Sequence, residues 1–147
     1  MTTRAEIVAA ARGWIGTPYR HQASTKGAGC DCLGLLRGVW REVLGPEPET
    51  PPAYSAGWAE APGAMPMEAM AEAARRHMSE IAPGDAREGD ALLFRMRRNG
   101  PAKHVAIQTD GDRMIHAWSG HAVVETCIGK WWRARIAHAF RVPGVED

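Results

Sequence analysis

Gly29-Cys30-Asp31-Cys32-Leu33-Gly34-Leu35-Leu36 is the stretch around which the rest of the chain is organised. A polar segment, Arg20 to Gly29, leads into it. Asp31 is a good N-cap for a helix that begins at Cys32. The unpaired N–H groups and the dipole of a first helical turn favour an anion, and therefore a thiolate over a thiol. The pattern predicts that Cys32 is a nucleophile, whereas Cys30 and Cys127 fit no chemical role.

Two histidines follow about seventy residues later, in a half of the chain with strand periodicity. A two-residue loop at Asp110-Gly111 would leave His104 and His116 on opposite faces of a hairpin. A three-residue loop that includes Asp112 pairs position 106 with 116 and puts both histidines on one face. We favour the longer loop, because glycine in its left-handed position is common there. One histidine can then reach the thiol, and the second histidine can reach the first.

Helix signals dominate the first third of the chain. Thr3 and Glu6 have the spacing of a capping box. The first helix has one buried face, and Gly16 ends this helix. The second helix begins at Cys32, and Gly45-Pro46 ends it. The predicted buried residues of these two helices are Ile7, Ala11, Trp14, Ile15, Leu36, Val39, Trp40 and Val43.

The middle of the chain differs in composition from both ends. Residues 45–90 carry 9 acidic and 3 basic side chains, whereas residues 91–147 carry 5 and 9. Pro46 to Pro66 is proline-rich and has no period, and Met67 to Ile81 has the pattern of a helix. We therefore interpret residues 46–82 as an insertion within a single domain that spans residues 1–147.

The last third changes to a period of two, which is typical of strands. Helices first and strands afterwards predict an α+β fold, with N-terminal helices packed on a C-terminal antiparallel sheet. The predicted strands are residues 91–97, 104–109, 113–118, 122–126 and 134–142.

Composition excludes several classes of protein. A net charge of +1 gives no general case for nucleic-acid binding or for attachment to a membrane surface. Three cysteines cannot all pair, so a reducing compartment fits best. There is no secretory apolar region at the start and no apolar run long enough for membrane insertion. We expect synthesis in the cytoplasm without a signal peptide.

Six short motifs in this order resemble the NlpC/P60 family of cysteine peptidases. The matching segments are Gly16-Thr17-Pro18-Tyr19, Asp31-Cys32-Leu33-Gly34-Leu35, Gly89-Asp90-Ala91-Leu92-Leu93-Phe94, His104-Val105-Ala106-Ile107, Met114-Ile115-His116-Ala117 and Phe140-Arg141-Val142-Pro143. They cover both halves of the chain but not residues 46–82. Two positions depart from the family pattern, because Leu33 replaces the usual serine and Ala106 the usual glycine.

The resemblance implies a papain-like fold and a set of site residues. Cys32 resembles the nucleophile, His104 the base, His116 the residue that orients the base, and Tyr19 the tyrosine on the oxyanion side. It implies hydrolysis of an amide in peptidoglycan stem peptides, at the γ-D-glutamyl–diaminopimelate bond. No cofactor and no metal is needed.

The middle segment, the absent signal peptide and the Gly-Cys-Asp-Cys sequence resemble the phage-tail and gene-transfer-agent branch of the family. That branch implies an enzyme carried in the tail of a phage-like particle, which opens the cell wall locally from the periplasm. It also implies a tail hub or baseplate protein as partner, and we expect residues 46–82 to dock on it. One alternative is a non-catalytic adaptor in such a tail, with a relic site. Another is a different papain-like acyl transfer or amide hydrolysis.

Two further interpretations are possible, a zinc site and a nucleic-acid surface. Cys30, Cys32, His104 and His116 can be written as a zinc set, but a C-x-C pair with histidines on separate strands is not standard ligand spacing. The Trp131-Trp132 pair lies among basic residues and suggests nucleic-acid stacking. We favour a strand edge with basic side chains there, and we expect no nucleic-acid partner.

Overall fold

The computed structural model describes residues 2–51 and 68–146, and all structural statements below refer to these residues. A 3₁₀ turn, Pro83–Asp85, separates the fourth strand from the fifth. In chain order the elements are β1 Thr2–Thr3, α1 Arg4–Arg12, β2 Ser24–Thr25, β3 Gly29–Cys30, α2 Cys32–Val43, α3 Ala69–His77, β4 Ser79–Ile81, β5 Ala91–Arg95, β6 Ala102–Gln108, β7 Arg113–His116, β8 Val124–Cys127, α4 Lys130–Arg133, β9 Ile136–Arg141 and β10 Val145–Glu146.

Six strands form one antiparallel sheet in the order β4-β9-β5-β6-β7-β8. The interior strand β5 is buried from Ala91 to Phe94, as its apolar run predicts. The helices α1 and α2 precede this sheet and pack on it. The predicted α+β architecture, with N-terminal helices on a C-terminal antiparallel sheet, is confirmed.

The capping box at the start of α1 is present. The Thr3 hydroxyl accepts the N–H of Glu6 at 3.1 Å, and the Glu6 carboxylate accepts the N–H of Thr3 at 3.3 Å. The helix ends at Arg12, and a turn carries the chain on to Gly16. Ile15, which we predicted on the buried face, lies in that turn and is 46% exposed. The prediction for Ile15 was wrong because helical periodicity does not extend into a turn.

Trp14 joins α1 to α2 through a close approach at Gly38. A Cβ atom at position 38 would lie 2.0 Å from Cζ2 of the Trp14 indole. The helices can pack at this distance only because residue 38 has no side chain. Together with sheet residues they form one apolar core, whose buried members include Ile7, Ala11, Trp14, Leu35, Val39, Ile107 and Ile115.

Successive side chains of β6 point to opposite faces of the sheet. Val105 and Ile107 pack in the two apolar clusters that include α2. Ala106 packs on the other side, with Leu92 and Phe94. His104 shares the side of Ala106, which faces away from the body of α2.

The hairpin between β6 and β7 has the predicted register. Ile107 pairs with Ile115, Gln108 with Met114, and the Thr109 N–H donates to the Arg113 carbonyl. Residues 110–112 therefore form a three-residue loop. The register prediction is confirmed, and it puts His104 and His116 on one face of the sheet.

Two predicted elements differ from the structure in type or extent, and several strands differ at their ends. The helix expected over Met67 to Ile81 spans Ala69–His77, because Met78 is extended and Ser79–Ile81 pair with β9 as an edge strand. Met67 and most of the proline-rich stretch lie outside the described residues. Lys130–Arg133 form one helical turn where we predicted a strand edge. The strands keep their order, and most of their ends shift by one or two residues.

Two contacts tie the start of the chain to its end. β1 pairs in parallel with β10, with Thr2 opposite Val145. The buried Asp90 carboxylate accepts from Arg4 at 3.1 Å and from Arg141 at 3.0 Å. No helix among the described residues has the length and apolarity that crossing a membrane requires.

Candidate active site

Two buried histidines form the centre of the candidate site. Nε2 of His104 on β6 lies 2.9 Å from Nδ1 of His116 on β7. Their exposed fractions are 9% and 3%. The hairpin register produces this contact, because it makes the two residues diagonal neighbours on one face. Nδ1 of His104 is the ring nitrogen that remains for a proton transfer.

Burial keeps both imidazoles neutral at neutral pH. It lowers the pKa of His104 to about 3, and the charges of His116 and Lys103 act in the same direction. It lowers the pKa of His116 to about 4, with a smaller effect from His121. A neutral imidazole has one N–H and one acceptor nitrogen, so the pair shares a single proton across the 2.9 Å contact.

Aromatic rings surround the histidine pair. The Trp132 indole stacks on the His104 ring, with centroids 5.4 Å apart and planes at 28°. Trp132 also meets His116 edge to face at 5.0 Å. Phe94 and Trp118 lie 5.8 Å from the His104 centroid. The pair therefore lies in an apolar pocket that few polar groups enter.

Asp31 prepares the start of α2, as predicted. Its carboxylate accepts the N–H of Gly34 at 2.7 Å and that of Gln22 at 2.8 Å. One side chain therefore caps the helix and holds the preceding loop. Gln22 is the one non-glycine residue among those described with a positive φ, at 64°. The loop is thus fixed in a compact shape directly before the predicted nucleophile.

The half-buried Cys32 thiol lies against β6 on both sides of His104. It donates to the Lys103 carbonyl at 3.8 Å, and the N–H of Val105 also bonds to it. Among the described residues there is no hydrogen bond between Cys32 Sγ and His104. The structure therefore brings Cys32 to the strand position of His104, but not into the direct contact that we expected.

Burial raises the pKa of Cys32 to about 12, and the Asp31 charge adds to the increase. The N–H groups of Val105, Leu33 and Cys32 itself lower the pKa, but by less than burial raises it. Burial thus outweighs the helix start and shifts the pKa of Cys32 in the direction opposite to the one that the helix start favours. The sequence indicates the effect of the helix dipole on the pKa of Cys32. It does not indicate how much solvent the folded chain removes from Sγ.

Tyr19 is close to the same thiol. It forms a parallel bridge with Cys30, next to α2. Burial raises the pKa of Tyr19 to about 12, followed by the effects of negative charge on Cys32, Asp31 and Cys30. Its phenol is therefore protonated at neutral pH and can donate a hydrogen bond beside Cys32.

The other cysteines lie apart from the histidine pair. Cys30 is fully buried among apolar residues, and burial raises its pKa to about 11. Cys127 is exposed and accepts from Arg113 at 3.7 Å. Within the described part of the chain, no three His, Cys, Asp or Glu side chains converge as metal ligands would. The four residues of the alternative zinc set are not gathered around a common point.

Sequence reasoning missed two members of this site. Trp132 was noticed only as part of a basic, aromatic stretch, and Thr126 was not noticed at all. Thr126 Oγ1 lies 3.5 Å from Nε2 of His116, across the β7–β8 pair. The sequence shows only that Thr126 falls in a predicted strand. Without the register of β7 and β8, that position does not indicate a contact with His116.

The connectivity of the helices and the sheet is that of a papain-like domain, a class that includes many cysteine peptidases. Within that class, this chain belongs to the NlpC/P60 family, whose model matches residues 16–141. Members of the family are generally cysteine peptidases that act on peptidoglycan. A comparison with curated protein sequences finds no match.

Solved structures share this fold. The NlpC/p60 domain of the peptidoglycan hydrolase SagA is 25% identical, over 96% of this chain and all of that domain, with a TM-score of 0.67. A lipoprotein-like NLP/P60 protein of Staphylococcus aureus is 22% identical, over 98% of this chain and 42% of its own, at 0.62. The peptidoglycan hydrolase RipB of Mycobacterium tuberculosis is 17% identical, over 94% and 63%, at 0.61. This chain therefore spans less than two thirds of the latter two.

Proposed function

We propose that this protein is a cysteine endopeptidase that hydrolyses an amide bond in peptidoglycan stem peptides. The observation that carries the proposal is the 2.9 Å contact between His104 and His116, with Cys32 Sγ against the backbone on both sides of His104. Membership of the NlpC/P60 family supports the class of reaction and substrate.

The proposed reaction begins from a neutral thiol and a neutral imidazole. A rotation about the Cα–Cβ bond of Cys32 takes Sγ from the Lys103 carbonyl towards Nδ1 of His104. His104 removes the thiol proton as Sγ attacks the carbonyl carbon, so the developing negative charge moves to the carbonyl oxygen. General-base activation at the moment of attack replaces a preformed ion pair, which agrees with the raised pKa of the thiol and the lowered pKa of the imidazole.

His116 would orient His104 and fix its tautomer. For Nδ1 of His104 to accept a proton, its Nε2–H must donate to Nδ1 of His116. His116 then carries its proton on Nε2, from which it donates to Thr126 Oγ1. This chain of donors has one direction, and it leaves Nδ1 of His104 unprotonated so that it can accept the thiol proton.

Two donors are available for the oxyanion. They are the backbone N–H of Cys32 at the start of α2 and the protonated hydroxyl of Tyr19. As the tetrahedral intermediate collapses, His104 returns its proton to the leaving amine and the C–N bond breaks. Water then attacks the Sγ acyl ester, and His104 again accepts and returns the proton. The cycle releases a carboxylic acid and the free thiol without a cofactor.

A sacculus-digestion assay tests the proposed nucleophile. Purified sacculi are incubated with the wild type and with Cys32→Ala, Cys32→Ser and Cys127→Ser variants, and released stem fragments are quantified. We expect both Cys32 variants to be inactive and Cys127→Ser to match the wild type, because Cys127 is exposed and away from the histidines. Undiminished release by either Cys32 variant would overturn the assignment.

We further propose that the γ-D-glutamyl–diaminopimelate bond is the one cleaved. The family resemblance supports this choice of bond. The reaction described above would apply to any amide bond that can enter the site. Mass spectrometry of the released fragments checks it, because cleavage at that bond leaves a new diaminopimelate amino terminus. Fragments that begin at another residue would contradict it.

One observation favours a second candidate, a non-catalytic adaptor with a relic site. The thiol is neutral and makes no hydrogen bond to His104 among the described residues, and Leu33 replaces the serine usual after the nucleophile. The sacculus assay also separates these candidates. Wild-type protein that binds sacculi but releases no fragment at any pH between 4 and 9 would favour the adaptor.

We also propose that the protein is a single NlpC/P60 domain carried in the tail of a phage-like particle, where residues 46–82 dock on a hub or baseplate protein. The resemblance of Gly-Cys-Asp-Cys and of the middle segment supports this location. Ion pairs anchor both flanks, since Glu49 pairs with Arg76 and Glu68 with Arg95. Residues 52–66 can therefore be replaced by a short Gly-Ser linker, and incorporation into particles measured. Unchanged incorporation would contradict the docking role.

A further inference from the structure

Among the tryptophan and phenylalanine rings described, that of Trp132 packs nearest to both histidines, with centroids 5.4 Å from His104 and 5.0 Å from His116. Its indole covers one face of His104 in a stacked arrangement and meets the edge of His116. It also contacts Phe94 at 5.0 Å and Trp118 at 4.8 Å, both at steep angles. Trp132 is thus the ring that joins the histidine pair to the other aromatic residues around it.

These contacts restrict His104 in two ways. A stacked indole blocks rotation of the imidazole about its Cβ–Cγ bond, because the ring would have to pass through the indole plane. The same indole excludes water from that imidazole face. A ring that is held in place and kept dry retains the orientation that its bond to His116 requires.

We propose that Trp132 is a positioning residue, which holds His104 in its orientation and keeps water from it so that it stays an unprotonated base. This inference rests on the proposed function, in which His104 accepts the thiol proton. The lowered pKa values of both histidines agree with it, since burial is the largest cause of each.

Charged groups near the pair contribute less than burial to the lowered pKa values of the two histidines. The guanidinium of Arg133 is held by Asp112 at 2.9 Å, and that of Arg135 lies 3.7 Å above the Trp131 ring. The titratable or charged side chains around the pair, on the elements packed against it, are Cys32, Lys103, His121, Lys130, Arg133 and Arg135.

The neighbouring Trp131 provides a matched control. It is 48% exposed, it lies on the same helical turn, and its ring contacts are with Trp118 and Trp132. Loss of Trp131 removes an indole from α4 without uncovering His104. Any effect of Trp132 on the histidines should therefore be absent in a Trp131→Ala variant.

The experiment uses Trp132→Phe, Trp132→Leu, Trp132→Ala and Trp131→Ala in the full-length protein, with two readouts. The first is the histidine protonation state, followed by NMR of the ring nitrogens as a function of pH, which does not depend on turnover. The second is kcat/KM for sacculus digestion between pH 4 and 9. Leucine fills volume without a flat ring, so the Phe and Leu pair remains informative if the Ala variant does not fold.

We expect the titration of His104 to move to higher pH in the order wild type, Phe, Leu, Ala, and Trp131→Ala to match the wild type. If His104 regains an ordinary pKa near 6.5, about one tenth of it is unprotonated at pH 5.5, so kcat/KM should fall about tenfold more at pH 5.5 than at pH 8. Unchanged histidine titration in both the Leu and Ala variants would overturn the role of Trp132. If the wild type is inactive but the His104 titration still shifts in the Trp132 variants, the proposed function is rejected and the role of Trp132 is retained.

Discussion

Nε2 of His104 and Nδ1 of His116 lie 2.9 Å apart, on adjacent strands and in almost complete isolation from solvent. In a neutral pair one ring donates across this contact and the other accepts, and donation from Nε2–H of His104 leaves its Nδ1 as an acceptor. The proposed mechanism uses this arrangement, in which His104 is the donor and the base, and its predicted consequences can be measured.

His116→Ala should lower kcat for sacculus digestion by about 10²-fold with little change in KM, since the variant keeps the nucleophile and loses the group that orients the base. His116→Asn should lose less, because an amide can still accept from Nε2 of His104. His121→Ala, at an exposed position close to His116, is the matched control and should match the wild type. Equal activities of the Ala and Asn variants would argue against an orienting role.

Acidification should destabilise the fold through the same two residues. Their pKa values are lowered in the folded state, so below about pH 6.5 the unfolded chain binds protons that the folded chain does not. The stabilisation is complete above pH 6.5 and is lost as the pH falls towards 4. We expect His104→Leu to lose about 2 kcal/mol less than the wild type between pH 7 and 4.5, measured by urea unfolding. Parallel losses in both proteins would contradict the lowered pKa of His104.

Alkylation should distinguish the two partly accessible cysteines. Because burial raises the pKa of Cys32 to about 12, little thiolate is present there at pH 7.5, and the exposed Cys127 should react with iodoacetamide first. Peptide mapping by mass spectrometry after timed quenching gives both rates. Faster reaction at Cys32 than at Cys127 would indicate a thiolate–imidazolium pair in the free protein.

Asp31→Ala should cost about 1–2 kcal/mol of unfolding free energy, since it removes a helix N-cap and the acceptor for Gln22 N–H. Asp31→Asn keeps a capping oxygen and should cost much less. Urea unfolding monitored by circular dichroism measures both. An Ala variant as stable as the Asn variant would show that the cap is dispensable.

Gly38→Ala should destabilise the protein by about 1–3 kcal/mol, because the new methyl group would overlap the Trp14 indole in a packed core. Gly84→Ala is the control, as no atom lies within 4 Å of a Cβ built there. It should change stability by at most about 0.5 kcal/mol. Thermal unfolding of both variants gives the comparison, and similar melting temperatures would reject the close approach.

The sequence predicts those parts of this site that depend on local rules. Asp31 is a recognisable cap from residue type and position, and Asp110-Gly111-Asp112 determines which residues of β6 and β7 meet. Neither inference needs a tertiary contact. The NlpC/P60 resemblance likewise rests on short segments in order, which is why it could be stated before the fold was known.

What the sequence could not predict depends on contacts between distant elements. The pKa of Cys32 reflects how much solvent β6 and its neighbours remove from Sγ, which no feature near residue 32 encodes. Trp132 reaches His104 because its ring packs against Leu92, Phe94 and Ala106 of β5 and β6. A four-residue helix has too little periodicity to be recognised from the sequence. Ser79–Ile81 form a strand only because β9 offers an edge to pair with.

The pairing of β1 with β10 has a practical consequence for engineering. Since Thr2 lies opposite Val145, these two positions are about a single strand spacing apart. A circular permutant that joins them through a few glycines would therefore keep the helix–sheet core intact.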